Sequence, residues 1–194
     1  MEEKKIKENI MLVDVCALDT TAGRLRNFMS RQLSRELPVA DLADWIACCA
    51  LDAGWHQPDK RNERMRVVFV CSSGHKMLQH FRPGRLADEV DGMAFADSLL
   101  GEVCMSVVTE EPSFECRPLY VQCVETLLAD DAGHLLTLVP DTERYGRDLE
   151  QALGANGGRV SVVSMQPVTV AGTEYVKMGF ALLHAMGVMP DEID

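Results

Sequence analysis

The chain has 194 residues, 47% of them hydrophobic, which is typical of one globular domain with a full core. Its formal net charge of −11 disfavours non-specific nucleic-acid binding, because that binding depends on Lys and Arg neutralising phosphates. No apolar run approaches the ~20 residues of a membrane helix, and the charged N-terminus lacks the apolar stretch of a signal peptide. We therefore expect a cytoplasmic protein that does not enter a membrane.

Five short segments rich in β-branched residues are predicted to be strands. Each is nearly continuous in apolar character, as expected of strands that are covered on both faces in a parallel sheet. The five predicted strands are Ile10–Val15, Met65–Val70, Glu102–Val108, His134–Val139 and Arg159–Ser164.

Helical patterns separate the strands. Thr20 or Thr21 is the candidate N-cap of the first helix. The other predicted helices are Val39–Ala53, His75–Phe81, Met93–Leu100, one opened by Pro118, Tyr145–Leu153 and Glu174–Met186. This alternation predicts a three-layer α/β/α sandwich around a mostly parallel five-stranded sheet, in a single domain over residues 1–194.

The cysteines indicate a reduced protein. There are seven, an odd number, with no CxxC pair, so we interpret them as core thiols rather than as a disulfide framework or a zinc site. Cys16 and Cys71 lie near strand ends, where a thiol could be reactive. In the segment CSSGHK, Ser73 and His75 could act as nucleophile and base, although a plain strand-to-helix turn is the simpler interpretation. The role of Ser72–Lys76 stays open.

Acidic residues stand where two strands end. The run IMLVDV ends near Asp14, and LLTLVPDTER ends on Asp141 and Glu143. Glu125 lies on the helix that leads into the fourth strand. Since parallel strands present their carboxyl ends at one edge, where ligands of α/β sheets bind, these acids could meet and hold magnesium or manganese. The structural alternative is that Asp141 caps the following helix and Glu143 favours its positive end.

The order of elements resembles the NYN branch of PIN-like nuclease domains. Three features carry the resemblance: a first strand ending in an aspartate, the passage YVQCVETLLADDAGHLLTLVPDTERY, and the run LEQALGANGGRVSVVSM. The resemblance implies a PIN-like fold and places Asp14, Glu125, Asp141 and Glu143 on acidic family positions. It implies that all four are catalytic, that Asp14, Asp141 and Glu143 hold magnesium or manganese, and that RNA is the substrate of a catalytic member.

Several residues depart from the family pattern. Val15, Cys16 and Ala17 follow the first aspartate where the family has an Asn, a further family acid falls near Leu119, and Arg144 replaces an aromatic residue. These departures favour a non-catalytic member that acts through binding, with a protein partner or a second copy of itself. The alternative is a divergent magnesium- or manganese-dependent nuclease or phosphodiesterase, and a small-molecule binder that uses the same cleft is also open.

Overall fold

A seven-stranded, mostly parallel sheet forms the centre of the computed structural model, which describes residues 7–56, 63–72, 74–110, 118–130, 134–154, 160–168, 170 and 172–193. The strands are β1 Lys7–Asp14, β2 Ala40–Asp41, β3 Glu63–Ser72, β4 Phe81–Arg82, β5 Ala94–Asp97, β6 Gly101–Glu110, β7 Leu135–Val139, β8 Val160–Ser164 and β9 Thr173–Lys177. The short strands β2 and β4 pair with each other, and the other seven are ordered β5-β6-β3-β1-β7-β8-β9. Among these described pairs, β5 with β6 is the antiparallel one.

Helices cover both faces of the sheet. They are α1 Val15–Gln32, α2 Leu42–Asp52, α3 Leu119–Leu128, α4 Thr142–Gly154 and α5 Met178–Ala185. On β1, Met11 and Val13 pack into the core formed with α1, α2 and α5, whereas Ile10 and Leu12 pack into the core formed with α3 and α4. The continuous apolar run of β1 is therefore explained by burial on both faces.

The strand order identifies the topological switch point of the sheet. Counted along the chain, the six parallel strands have the spatial order 3-2-1-4-5-6, that of a doubly wound α/β sheet. The connections leave β1 towards β3 and β6, then return to β7 on the other side of β1. The ends of β1 and β7 therefore form the topological switch point, where ligands of such sheets bind.

The sheet confirms the α/β class and all five predicted strands, with β1 in the interior between β3 and β7. The predicted number of strands was wrong, because β5 and β9 extend the sheet to seven. Both lie at sheet edges: β5 lies within the segment predicted as the helix Met93–Leu100, and most of β9, with all of α5, lies within the predicted helix Glu174–Met186. An edge strand is only partly covered, so it lacks the continuous apolar run that marks an interior strand.

The helix starts were also misplaced. Helix α1 begins at Val15 with Asp14 as its cap, not at Thr20 or Thr21, and α2 begins at Leu42 with Asp41 as its cap. The segment 75–81 is not helical. Met77 forms an isolated antiparallel bridge with Arg85, and Phe81, the last residue of the segment, belongs to β4. The residues 57–62 and 155–159, including the predicted start of the fifth strand, lie outside the described part of the chain.

The described helices share one further property. None of them is both long and apolar enough to cross a membrane. The longest, α1, has 18 residues and carries charged side chains along its length.

Gly23 marks a close approach between α1 and the loop before β4. A Cβ at this position would overlap the imidazole of His80. The backbone of His80 is held to α1, since its N–H donates to Asp19 Oδ1 at 2.8 Å. The ring can therefore move away from α1 only by a change of the His80 side-chain torsions or by a loss of this backbone contact.

We expect Gly23→Ala to lower the free energy of unfolding by about 1–3 kcal/mol, because overpacking outweighs the ~1 kcal/mol by which Ala favours a helix interior. The matched control is Gly146→Ala in α4, where no described atom lies within 4 Å of the added Cβ. That change should leave stability unchanged or raise it by up to about 1 kcal/mol. Urea unfolding of both variants measures the difference, and equal effects would contradict the close contact.

Candidate functional site

The carboxyl edge of the sheet at the switch point is the candidate site. Strands β1 and β7 are parallel neighbours, with Val13 opposite Val139. Asp14 and Asp141 therefore follow adjacent positions at the same edge of the sheet. The prediction that these two strand ends meet at one edge is confirmed.

Asp14 is buried and both of its carboxylate oxygens accept hydrogen bonds. The residue is 6% exposed. Its Oδ1 accepts from the backbone N–H of Ala17 at 2.8 Å, which makes Asp14 the N-cap of α1. Its Oδ2 accepts from the hydroxyl of Tyr145 at 2.9 Å. A buried carboxylate needs such partners, because leaving it unpaired in the interior is costly.

Two stacked tyrosines support Asp14 from the other face of the sheet. The rings of Tyr145 and Tyr120 are parallel, with centroids 5.3 Å apart, and the Tyr120 hydroxyl donates to the carbonyl of Leu12 at 3.0 Å. Burial, followed by the negative charge of Asp14 and the hydrogen bond to it, raises the pKa of Tyr145. Burial also raises the pKa of Tyr120 well above its usual value. Both phenols therefore stay neutral and act as hydrogen-bond donors.

Asp141 and Glu143 lie at the start of α4. Asp141 Oδ1 accepts from the N–H of Glu143 at 3.1 Å and from that of Arg144 at 2.9 Å, so this side chain caps the helix. Glu143 is exposed in the first turn of α4. This is the capping arrangement named as the structural alternative to a metal site.

Glu125 lies half-buried in α3. Over the described residues, which include all four predicted acids, no group of three His, Cys, Asp or Glu side chains is assembled to hold a metal ion. The predicted ligand set of Asp14, Asp141 and Glu143 is therefore not brought together as a three-ligand cluster. The catalytic and metal roles of these residues stay predictions.

A third strand-end acid, not singled out from the sequence, repeats the pattern. Glu110 is the last residue of β6, and its Oε1 accepts from the N–H of Leu119, the first residue of α3, at 3.1 Å. Asp14, Glu110 and Asp141 thus each end or follow a strand and hold the first turn of the next helix. Glu110 could have been identified from the sequence, because it is an acidic residue between an apolar strand and a helix that follows Pro118.

The segment after β3 also reaches this edge. Cys16 Sγ in α1 lies 3.7 Å from Nε2 of His75. The sequence marks Cys16 and His75 as candidate reactive groups, but it gives no sign that they are partners. Ser73, the other nucleophile considered in this segment, lies outside the described residues.

These features define a doubly wound α/β protein whose strand-end acids cap the following helices. The chain belongs to a family of unknown function, DUF6621, whose model matches residues 3–193. No curated protein matches the chain. No solved structure matches it either.

We expect Tyr145→Phe to lower the free energy of unfolding by about 1–3 kcal/mol, because it removes a donor from a buried carboxylate oxygen. The matched control is Tyr175→Phe, since the exposed Tyr175 side chain donates only longer hydrogen bonds, to the Ser164 carbonyl at 3.3 Å and the Met165 carbonyl at 3.4 Å. That change should cost less than about 0.5 kcal/mol. Chemical denaturation of the two variants checks the prediction. Similar losses of unfolding free energy would mean that the Tyr145–Asp14 hydrogen bond stabilises the protein no more than the exposed bonds of Tyr175.

Proposed function

We propose that this chain is a non-catalytic PIN/NYN-like domain that acts through binding, and that its strand-end acids are structural. The observation that carries the proposal is the state of Asp14, the acid that the resemblance places first in a nuclease site. Its two oxygens accept from Ala17 N–H and Tyr145 O–H, and the residue is buried. A carboxylate held in this way serves the fold.

The donor set does not fit the divalent metal that the resemblance implies. Magnesium and manganese need several oxygen ligands directed at one point. Both oxygens of Asp14 and Oδ1 of Asp141 are directed at helix amides or a phenol of the protein itself. No described group of three potential ligands compensates for them.

The alternative proposal is a divergent metal-dependent nuclease or phosphodiesterase. One observation favours it: Asp14 and Asp141 follow neighbouring parallel strands at the switch point, where ligands of doubly wound sheets bind. A metal that recruited both acids would have to displace the Tyr145 hydroxyl or use the remaining oxygen of Asp141. Metal binding to the folded protein decides between the two proposals.

We expect no change in melting temperature between metal-free buffer and buffer with millimolar magnesium or manganese, and no cleavage of single-stranded RNA. Sodium chloride at matched ionic strength is the salt control. An ion at 100 times its Kd would stabilise the folded state by about 2.7 kcal/mol, which a melting curve detects readily.

The matched variant for this test is Asp141→Asn. Asn caps a helix about as well as Asp, so the variant removes the charge and keeps the cap. A manganese-dependent rise in melting temperature that disappears in Asp141→Asn, together with RNA cleavage that disappears with it, would overturn the non-catalytic proposal and support the nuclease.

A surface suited to binding lies at the β9 edge of the sheet. Met165, Tyr175 and Phe180 are 37%, 37% and 59% exposed, respectively, and we call them the β9 surface. Tyr175 donates to carbonyls at the end of β8, and Met165 lies beside the first turn of α5, so the three side chains are near one another. No described strand pairs with the outer side of β9.

A second copy of the chain is the partner that this surface fits. The outer side of an edge strand presents backbone N–H and C=O groups, and the same strand of another copy, turned by a two-fold axis, presents matching groups. Burial of the exposed Phe180 and Met165 would then stabilise the pair. The net charge of −11 on each copy opposes association, so screening by salt should strengthen it.

We expect the mass measured by analytical ultracentrifugation to rise from monomer towards dimer with concentration, more strongly in high salt. Phe180→Asp should abolish the dimer, because it places a charge within the apolar contact. Phe28→Asp is the matched control, since Phe28 is 57% exposed on α1, away from β9. A monomer at every concentration in high salt, or equal effects of the two variants, would refute self-association through the β9 surface.

A further inference from the structure

Cys16 and His75 form a thiol–imidazole pair at the carboxyl edge of the sheet. They belong to segments 59 residues apart, and the parallel pairing of β1 with β3, which sets Asp14 opposite Val70, brings the two strand ends together. The distance from Sγ to Nε2 is 3.7 Å, which is within hydrogen-bonding range for sulfur. Cys16 is half-buried and His75 is exposed, so small molecules in solution can reach the pair.

Cys16 lies at the start of α1, beside the Asp14 cap. It is the second residue of the 18-residue helix α1. The nearest acid in the sequence, Asp14, directs its oxygens to Ala17 and Tyr145. His75 can therefore accept the thiol proton as the sulfur attacks, as in other Cys–His pairs.

The other described cysteines lack this combination. Cys49 and Cys71 are buried, and burial raises the pKa of the thiols of Cys48, Cys49 and Cys123. Cys104 is exposed on β6. Cys104 therefore provides an accessible reference thiol within the same molecule.

We propose that Cys16 is a nucleophilic thiol, with His75 as its base, and that it is a site of oxidation by hydrogen peroxide and related hydroperoxides. The Sγ proton moves to Nε2 of His75, and the sulfur attacks one peroxide oxygen. An S–O bond forms as the O–O bond breaks, and the leaving hydroxide takes the proton from the imidazolium to give water. The sulfur is oxidised by two electrons to a sulfenic acid, and the peroxide is reduced. A substrate this small needs no dedicated cavity.

The experiment treats the full chain with hydrogen peroxide at pH 7 in the presence of dimedone, which traps sulfenic acids, and quantifies the label at each cysteine by mass spectrometry. We expect Cys16 to be labelled about tenfold faster than Cys104. His75→Gln should slow labelling of Cys16 by about tenfold or more, a smaller effect than the roughly 10²–10⁴-fold that a positioned base typically supplies, and leave Cys104 unchanged.

Two controls keep the result specific. Lys76→Gln removes a neighbouring positive charge but keeps the imidazole, so it should leave the labelling of Cys16 unchanged. Buried Cys49 reports on opening of the fold, and if it is labelled in His75→Gln, His75→Asn replaces that variant. Equal rates at Cys16 and Cys104 in the wild-type chain, or a Cys16 rate that does not respond to loss of the imidazole, would overturn the proposal. Neither result depends on self-association through the β9 surface.

Discussion

The buried carboxylate of Asp14 is the interaction on which the centre of this fold depends. It ends the interior strand β1 and accepts one hydrogen bond from α1, which covers one face of the sheet. Its other oxygen accepts from Tyr145 of α4, which covers the opposite face. One side chain thus connects both helical layers through the sheet, at the position where the chain reverses its winding direction. A charge in this place is tolerated because each oxygen has a donor.

The same logic extends along the carboxyl edge. Glu110 holds the first turn of α3, and Asp141 holds that of α4. Each acid satisfies amide groups that a helix leaves unpaired at its start, and its charge also matches the positive end of the helix. An edge rich in carboxylates can therefore arise from the needs of a doubly wound fold alone. This account supports the proposal that the strand-end acids are structural rather than parts of a metal site.

The interior of the fold was readable from the sequence, but its edges and its side-chain partners were not. Strands covered on both faces, such as β1, can be recognised by their unbroken apolar runs. The edge strands β5 and β9 lack such runs and resemble helices in composition. Asp14 stood out as an acid within an apolar strand, yet its bond to Tyr145 spans 131 residues and arises only when α4 packs beside β1. The contact between Cys16 and His75 was hidden for the same reason, since local patterns carry no information about such pairings.

The most direct test of this account is a double-mutant cycle between Asp14→Asn and Tyr145→Phe, measured by chemical denaturation with and without manganese. If the carboxylate and the phenol support each other in the folded protein, the two changes should be coupled by about 0.5–3 kcal/mol, and manganese should leave the coupling unchanged. Additive effects would contradict the central role of the Asp14–Tyr145 bond. A coupling that disappears when manganese is added would show that the metal competes with Tyr145 for Asp14, and the acid would then belong to a metal site.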